Sequence, residues 1–122
     1  MIIFNKQDSL NNVVKSIPDK HGIYILYNPK GEIIYIGKAG SIKSDGSITK
    51  QTIRKRLLAP RNKYSNIKGD MYFKQKMEEC GYEYIMIDWE VSDEHCPAYD
   101  EACKIEQFRL KYHRLPIWNN SF

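Results

Sequence analysis

The sequence predicts an α+β domain with a small, mainly antiparallel, three-stranded sheet flanked by helices. Three short segments are rich in isoleucine and aromatic residues, and only a turn separates the first two, so those two pair as a hairpin. Apolar residues recur with helical spacing in the segments around the strands. Because the 122 residues show no linker or internal repeat, residues 1–122 are predicted to form a single domain.

Helices and strands are predicted along most of the chain. A first helix spans Ser9–Ile17, where apolar residues recur at i, i+3, i+4 and i+7 and Pro18 ends the run. The clearest strand is Glu83–Val91, because Ile, Trp and Val occupy alternate positions there. The other predicted elements are strands over Gly22–Tyr27 and Glu32–Lys38 and helices over Thr49–Ala59, Asp70–Cys80 and Pro97 to about His113.

The predicted hairpin carries a pair of tyrosines. Around its turn, Asn28–Gly31, the register predicts Tyr24 opposite Tyr35, with Cβ atoms about 5 Å apart. The two phenols then share one face of the sheet, although a bulge would change this register. An aromatic cross-strand pair also stabilises many hairpins, so the hairpin alone favours a structural role. The opposite face is predicted to hold Ile23, Ile25, Ile34 and Ile36.

Basic residues are concentrated in one part of the chain. Residues 50–76 hold nine Lys or Arg against one acid, whereas the whole chain carries only +4. Residues 83–106 hold eight acids and one lysine. The basic stretch also contains Tyr64, Tyr72 and Phe73, and a basic segment with interleaved aromatic residues is typical of nucleic-acid binding. The alternatives are an ordinary solvated face and a surface for an acidic protein.

Composition argues against two other environments. The longest apolar runs are a few residues, so no membrane span is predicted, and the N-terminus lacks the pattern of a signal peptide. The three cysteines form no CxxC pair, which is typical of unpaired thiols in a reducing cytoplasm. His95 and Cys96 are neighbours, but the spacing matches no common zinc-ligand pattern. We therefore expect a cytoplasmic protein without a membrane partner.

The last helix brings charged residues close to the core. On a helical wheel, a buried arc is defined by Ala98, Ala102, Ile105, Phe108 and Tyr112. Glu106, Arg109 and His113 fall within or beside this arc, and a carboxylate there is costly unless it is paired or binds a cation. An ion pair between Glu106 and Arg109 is one explanation, and a metal ligand is the other. Glu101 also approaches the arc, so periodicity does not choose between the two acids.

Two tripeptides in the hairpin resemble a known family. Gly22-Ile23-Tyr24 and Tyr35-Ile36-Gly37 are similar to the paired motifs that give the GIY-YIG nuclease superfamily its name. Further likenesses follow in the family's order. Lys38 comes directly after the second motif, as in the excision-repair nuclease subunit of bacteria, and "IRKRL" resembles the helix that carries the family's catalytic arginine, here Arg56.

The C-terminal part of the chain extends the resemblance. The stretch "EACKIEQFRLKYHRLPIWN" is similar to the closing segment of the repair nuclease. This likeness selects Glu106 over Glu101 as the metal-binding acid and Asn119 as the terminal asparagine. The resemblance therefore covers about Gly22 to Asn119, which is nearly the whole chain.

The resemblance implies hydrolysis of a DNA phosphodiester with one divalent metal ion, Mg²⁺ or Mn²⁺. A free tyrosine has a pKa of about 10, so it is a poor base unless a cation favours the phenolate. Tyr24 is assigned as general base, with Tyr35 and Lys38 positioning or deprotonating the water, although the sequence does not choose between the tyrosines. The other implied roles are phosphate binding by Arg56, metal binding by Glu106 and orientation of the site by Asn119.

Further contacts to nucleic acid are predicted around the arginine helix. The residues assigned to them are Gly37, Arg54, Lys55, Arg61, Lys63 and Tyr64. The chain departs from the family in two places. The stretch between Gly37 and Arg56 is longer, and Pro60 stands where many members have a His or Tyr. Tyr64 is one replacement for that residue, and Lys38 acting unaided is the other.

Several biological roles are compatible with the sequence. No additional DNA-binding domain is recognised, so specificity is expected from the loop Ala39–Thr52, the region Tyr64–Glu78, an oligomer or a partner protein. The inserted loop favours a restriction-like or mobile-element nuclease. A DNA-repair or structure-directed nuclease is one alternative, and a nucleic-acid-binding domain that has lost catalysis is another.

Overall fold

Within residues 1–61 and 67–119, which the computed structural model describes, four strands form one antiparallel sheet and four helices pack around it. The strands are β1 (Ile2–Asn5), β2 (Gly22–Tyr27), β3 (Ile33–Ala39) and β4 (Tyr84–Val91). The helices are α1 (Leu10–Val13), α2 (Ile53–Leu58), α3 (Gly69–Cys80) and α4 (Pro97–Tyr112). The spatial order β1-β4-β2-β3 makes β2 and β4 the central strands, and the α+β class is the predicted one.

The strand β1 corrects the prediction of a three-stranded sheet. It pairs with β4 from Ile2 opposite Ile87 to Asn5 opposite Tyr84. Four residues are too few to show a period of two, so the sequence indicated only a brief apolar start. The pairing with β4, about 80 residues away along the chain, is what makes this segment a strand.

A β-bulge changes the predicted register of the hairpin. Tyr24 lies opposite Gly37, and Leu26 lies opposite Tyr35, so the predicted pairing of Tyr24 with Tyr35 is wrong. The register shifts between Leu26 and Tyr27, since β3 carries one extra residue there. Tyr24 and Tyr35 are therefore diagonal neighbours on the same face of the sheet. Their rings still stack, with centroids 5.7 Å apart.

The sheet separates two hydrophobic clusters. On one face, Tyr24 and Leu26 pack with residues of the first three helices, such as Leu57 and Phe73. On the other face, α4 alone packs against the sheet, and the buried residues there are Ile23, Ile25, Ile36, Ile105 and Phe108. Ile34 belongs to the first cluster because the bulge turns it away from the other isoleucines, contrary to the prediction. Burial of each such side chain contributes about 1.5–3 kcal/mol.

Most helix boundaries lie close to the predicted ones. The first helix is shorter than Ser9–Ile17, since α1 passes into a 3₁₀ turn over Val14–Ser16. The helix α2 begins at Ile53 rather than at residue 49, because Thr52 caps it by accepting a 3.3 Å hydrogen bond from the Lys55 amide. Gly81, at φ 73°, ends α3 as predicted. Among the described residues, no helix has both the length and the apolar character needed to cross a bilayer.

Candidate active site

Two tyrosines and a glycine form the centre of the site. Tyr24 on β2 is fully buried, and Tyr35 on the neighbouring strand β3 stacks on it. A Cβ atom on Gly37 would lie 2.4 Å from Cζ of Tyr24 and 2.7 Å from Cε1 of Tyr35. Because real Cβ atoms do not approach other atoms that closely, only glycine at this position leaves room for the two rings.

An open cleft of about 340 Å³ brings together most of the predicted catalytic residues. We call it the tyrosine cleft; the charged and phenolic residues that line it are Tyr24, Tyr35, Lys38, Arg56 and Glu101. It lies at the end of β3, where α2 on one face of the sheet approaches α4 on the other. The sheet edge therefore joins side chains from opposite layers of the fold.

The acid in this cleft is Glu101 and not Glu106. The Glu106 carboxylate is exposed and accepts a 3.0 Å hydrogen bond from Nε of Arg109 in an ion pair. The prediction that Glu106, Arg109 and His113 lie in or beside a buried arc is therefore wrong, since all three are exposed. Glu101 precedes the buried Ile105 by four residues and thus shares its helix face.

A physical reason explains the misplaced arc. The buried side of α4 is set by Pro97, Ile105 and Phe108, whereas Ala98 and Ala102 are only partly buried. Giving these alanines the same weight as large apolar side chains rotates the predicted arc towards Glu106. The arc drawn from the large buried side chains alone is centred close to Glu101.

The environment of Glu101 suits a cation. Burial raises the pKa of the Glu101 carboxyl, and the charge of Lys38 opposes this effect. A partly buried carboxylate with an incompletely compensated charge gains from a nearby cation. Among residues 1–61 and 67–119, no group of three or more His, Cys, Asp or Glu is arranged to hold a metal ion, and His95 with Cys96 forms none. A single carboxylate is nevertheless compatible with Mg²⁺, which keeps several waters and often takes further ligands from substrate phosphates.

Arg61 is directly bonded to the tyrosine pair. Its Nη1 donates to the Tyr24 hydroxyl at 3.0 Å, and its Nη2 donates to the Arg56 carbonyl at 2.7 Å. Its guanidinium also lies 4.9 Å from the centroid of the Phe73 ring. The sequence analysis predicted Arg61 as a nucleic-acid contact and not as a partner of Tyr24. The one hint in the sequence is that Arg61 follows Pro60, which stands where many members of the resembled family have a His or Tyr.

The two phenols differ in their surroundings. Burial raises the pKa of Tyr35 well above its ordinary value, and the adjacent Tyr24 phenol acts in the same direction. Arg61 and Arg56 oppose this shift only in part. Tyr35 therefore retains its proton at neutral pH, while the Tyr24 hydroxyl accepts a hydrogen bond from a cationic donor.

A second opening adjoins the tyrosine cleft. We call it the aromatic cleft; it measures about 240 Å³ and is lined by Tyr35, Arg56, Arg61, Tyr72, Phe73, Trp118 and Asn119. Tyr35 and Arg56 line both clefts, so the two are adjacent. The sequence prediction identified the basic and aromatic composition of this region but not the position of α3 at its wall.

Asn119 connects the C-terminal segment to the edge strand. Its Oδ1 accepts from the Ile36 amide at 3.0 Å, and its Nδ2 donates to the Ile36 carbonyl at 2.9 Å. The Trp118 amide donates to the Ile34 carbonyl at 2.8 Å. These bonds occupy the open edge of β3 behind Tyr35 and hold the segment in place. Both polar atoms of the Asn119 side chain are therefore hydrogen-bonded to the backbone of Ile36.

The remaining predicted residues are distributed differently. Arg54 donates to the backbone carbonyls of Lys15 and Ile17, so it joins α2 to the end of the first helical segment and does not reach either cleft. Lys55 is exposed on α2. The predicted contacts Lys63 and Tyr64 lie outside the described residues. The tyrosine cleft also includes Gly40, Ser41 and Gln51, which the sequence did not single out.

No model of a protein family and no solved structure matches this chain. Among curated proteins, UvrABC system protein C of Clostridium botulinum strain Hall is 31% identical over 102 residues, which cover 84% of this chain and 14% of that protein. This chain is similar to one segment of UvrABC system protein C. The UvrABC system protein C of Dehalococcoides mccartyi is 44% identical over 36 residues, or 30% of this chain and 6% of that protein.

The similarity covers most of this chain but a small part of the relative. Identity of 31% over most of the chain indicates common ancestry with a segment of UvrABC system protein C. The chain spans only about 14% of the length of the botulinum protein, so most of that protein has no counterpart in this similarity.

Proposed function

We propose that this chain is a metal-dependent DNA endonuclease of the GIY-YIG type. The observation that carries the proposal is the tyrosine cleft, in which two tyrosines, Lys38, Arg56 and Glu101 converge from β2, β3, α2 and α4. A base, cationic phosphate ligands and a carboxylate for a metal are the groups that an in-line attack of water on a phosphodiester requires. The family resemblance of the two hairpin motifs supports the same reaction.

In this proposal, the Tyr24 oxygen takes the proton of the attacking water. The step requires the deprotonated form of Tyr24, and Arg61 donates to its oxygen at 3.0 Å. The Tyr35 hydroxyl, beside it in the same cleft, is assigned to positioning the water. Arg61 thereby fills the role of the family His or Tyr that Pro60 replaces.

The other cleft residues act on the phosphate. Arg56 and Lys38 hold its oxygens and offset the charge that grows as the water oxygen bonds to phosphorus and the sugar oxygen leaves. The leaving oxygen takes a proton from solvent. Glu101 replaces Glu106 as the proposed ligand of Mg²⁺ or Mn²⁺, and the ion, when bound, supplies Lewis-acid stabilisation of the leaving oxygen. Asn119 acts through Ile36 and positions the edge strand.

The relatives of this chain favour one biological role over the others. The relatives are the bacterial excision-repair subunit that the motifs resemble, so incision of DNA in repair is better supported than a restriction-like or mobile-element role. Because the similarity spans 14% of one of these relatives and 6% of the other, their substrates and partners are proposals for this chain. A partner protein or an oligomer as the source of specificity also remains a proposal.

A cleavage assay with paired variants tests the proposal. Purified protein with Mg²⁺ or Mn²⁺ is incubated with supercoiled plasmid, linear duplex and branched DNA. We expect nicking by the wild type and loss of activity, by about 100-fold or more, in Glu101→Gln and Arg56→Gln. Glu106→Gln is the matched control on the same helix, and it should retain activity because Glu106 lies outside the cleft.

The outcomes separate the alternatives. Activity lost in Glu106→Gln and kept in Glu101→Gln would return the metal ligand to the acid that the sequence likeness selected. A wild type that binds DNA but cleaves none of the three substrates with either metal would favour a domain that has lost catalysis. Circular dichroism of each variant shows whether a loss of activity reflects a loss of fold.

A further inference from the structure

The aromatic cleft has the composition of a nucleotide subsite. Four aromatic side chains line it together with Arg56 and Arg61. Tyr35 and Arg56 also line the tyrosine cleft, so the two openings are neighbours on the surface. Basic grooves with aromatic platforms are the usual sites for unstacked bases of single strands, because every base has a face that can stack.

The helix α3 contributes an asymmetric wall to this cleft. On the flank away from it, Asp70 pairs with Lys74 at 2.9 Å and Glu78 pairs with Lys6 at 2.8 Å. On the flank beside it, Lys76 lies 5.9 Å from the centroid of the Tyr72 ring. Among the described residues, no carboxylate forms an ion pair with Lys76, Arg56 or Arg61. The charge of this flank is therefore available to a phosphate.

Two buried donors in the walls also lack partners. Nε1 of Trp118 and Nε of Arg61 are inaccessible to solvent and have no hydrogen-bond acceptor among the described residues. Both residues line the aromatic cleft. An unsatisfied buried donor costs free energy, so the walls of this cleft hold two polar groups whose hydrogen bonds are not made.

We infer that the aromatic cleft binds one unstacked nucleotide next to the phosphate in the tyrosine cleft, with Tyr72 stacking on the base and Lys76 contacting the adjoining phosphate. A base in an intact duplex is covered on both faces by its neighbours and does not enter a concave opening. DNA with unpaired nucleotides is thus the favoured substrate class. This inference rests on the proposed function and names the substrate of the same site.

Binding without cleavage tests the subsite separately from catalysis. The full chain is titrated, in EDTA, into a fluorescently labelled duplex and into the same duplex with a short run of mismatched thymines, and anisotropy gives both affinities. We expect the wild type to prefer the mismatched DNA by about tenfold. Tyr72→Leu should lower this preference to about one, whereas Tyr72→Phe, which keeps an aromatic ring, should retain it.

Further variants test the contribution of the Lys76 charge and the location of the subsite. Lys76→Gln is expected to weaken binding to both DNAs equally and to reduce the dependence of log affinity on log salt by about one. Tyr112→Leu and Lys111→Gln, on the exposed face of α4, should change neither the preference nor the salt dependence. Thermal melting of each variant shows whether it is folded, and Tyr72→Phe keeps the inference testable if Tyr72→Leu is unstable.

Each outcome decides one point. Equal affinity of the wild type for both DNAs, or a preference that survives Tyr72→Leu, overturns the subsite even if the protein nicks plasmid. A preference that depends on Tyr72, in a protein that nicks nothing with Mg²⁺ or Mn²⁺, supports the subsite while the proposed function fails. Absence of any DNA binding, with binding to an acidic polypeptide instead, overturns both.

Discussion

At the scale of single residues, Arg61 determines how the buried phenol of Tyr24 is held. Two of its three guanidinium nitrogens donate to Tyr24 and to the Arg56 carbonyl, so it connects the proposed base to the last turn of α2, which carries the proposed phosphate ligand Arg56. Its contact with Phe73 fixes the plane of the guanidinium. These contacts orient the Arg61 guanidinium before substrate binds, whereas an arginine on the open surface would be mobile.

The first prediction concerns the hydrogen bond from Arg61 to Tyr24. Arg61→Gln should lower the cleavage rate by about 10- to 100-fold, which corresponds to the loss of one charged hydrogen bond. A pH–rate profile measures the loss across the pH range, with the exposed Lys55→Gln as control. A profile of Arg61→Gln that overlays that of Lys55→Gln would contradict the role given to Arg61.

The second prediction concerns the charge on Glu101. Burial raises its pKa, so the folded chain binds this proton more tightly than the unfolded chain. The ionised carboxylate therefore destabilises the fold at neutral pH, and this penalty disappears as the pH falls through the raised pKa. Glu101→Gln should raise the melting temperature by about 2 °C at neutral pH and leave it unchanged below about pH 4, in the absence of divalent metal.

Glu106 provides the opposite control for that experiment. Its hydrogen bond with Arg109 lowers its pKa, so ionised Glu106 favours the folded state at neutral pH. Glu106→Gln should therefore not raise the melting temperature. Scanning calorimetry across the pH range distinguishes the two variants, and a lower melting temperature of Glu101→Gln at neutral pH would show that its charge is well compensated.

At the scale of elements, the edge strand β3 depends on the segment that follows α4. Asn119 satisfies both the amide and the carbonyl of Ile36, and Trp118 adds a third backbone bond at Ile34. This edge lies between Tyr35 and Gly37, so the order of the site depends on it. The C-terminal segment thus serves the site through the backbone of β3.

The third prediction follows from these bonds. Asn119→Ala should lower the free energy of unfolding by about 1–3 kcal/mol, since two partly buried polar groups of Ile36 lose their partner. Asn119→Asp should have an intermediate effect, because a carboxylate accepts from the amide but donates nothing to the carbonyl. Urea denaturation measures both variants. Equal stability of Asn119→Ala and the wild type would show that water replaces the side chain at no cost.

Elements with a strong local pattern were predictable from the sequence. The period of two in β4 and the glycine stop of α3 arise from neighbouring residues, so they can be read without the fold. The strand β1 and the bulge at Leu26 depend on partners elsewhere in the chain, and no local period reports them. The start of α2 depends on Thr52, whose hydroxyl also donates to Asp19 at 2.6 Å.

At the scale of the whole molecule, the site exists because two layers meet at one sheet edge. Arg56 reaches the tyrosine cleft from the side of the larger cluster, and Glu101 reaches it from the side of α4. The smaller cluster, built around Ile105 and Phe108, is the contact that fixes α4 on the sheet. The position of Glu101 therefore depends on packing one helical turn away.

The fourth prediction tests this dependence. Ile105→Ala should lower the free energy of unfolding by about 2–5 kcal/mol and reduce cleavage at temperatures where the variant is still folded, because α4 loses its central buried contact. Leu110→Ala, on the exposed face of the same helix, should stay within about 0.5 kcal/mol of the wild type. Denaturation and cleavage are measured on the same samples. A destabilised Ile105→Ala with full activity would separate the packing of α4 from the site.

The sequence by itself determined the class of the fold, because strand and helix periods are local patterns, and its resemblance to the GIY-YIG family selected the tyrosines, Lys38 and Arg56 as candidate residues. Only the tertiary structure brought Glu101 into the cleft in place of Glu106 and joined Arg61 to Tyr24. Both outcomes depend on how segments distant in the chain pack, on which large side chains of α4 touch the sheet and on where the chain turns after Pro60. A helical wheel contains the spacing of residues but not the surface against which the helix packs. That surface determines which of the two glutamates lies in the cleft.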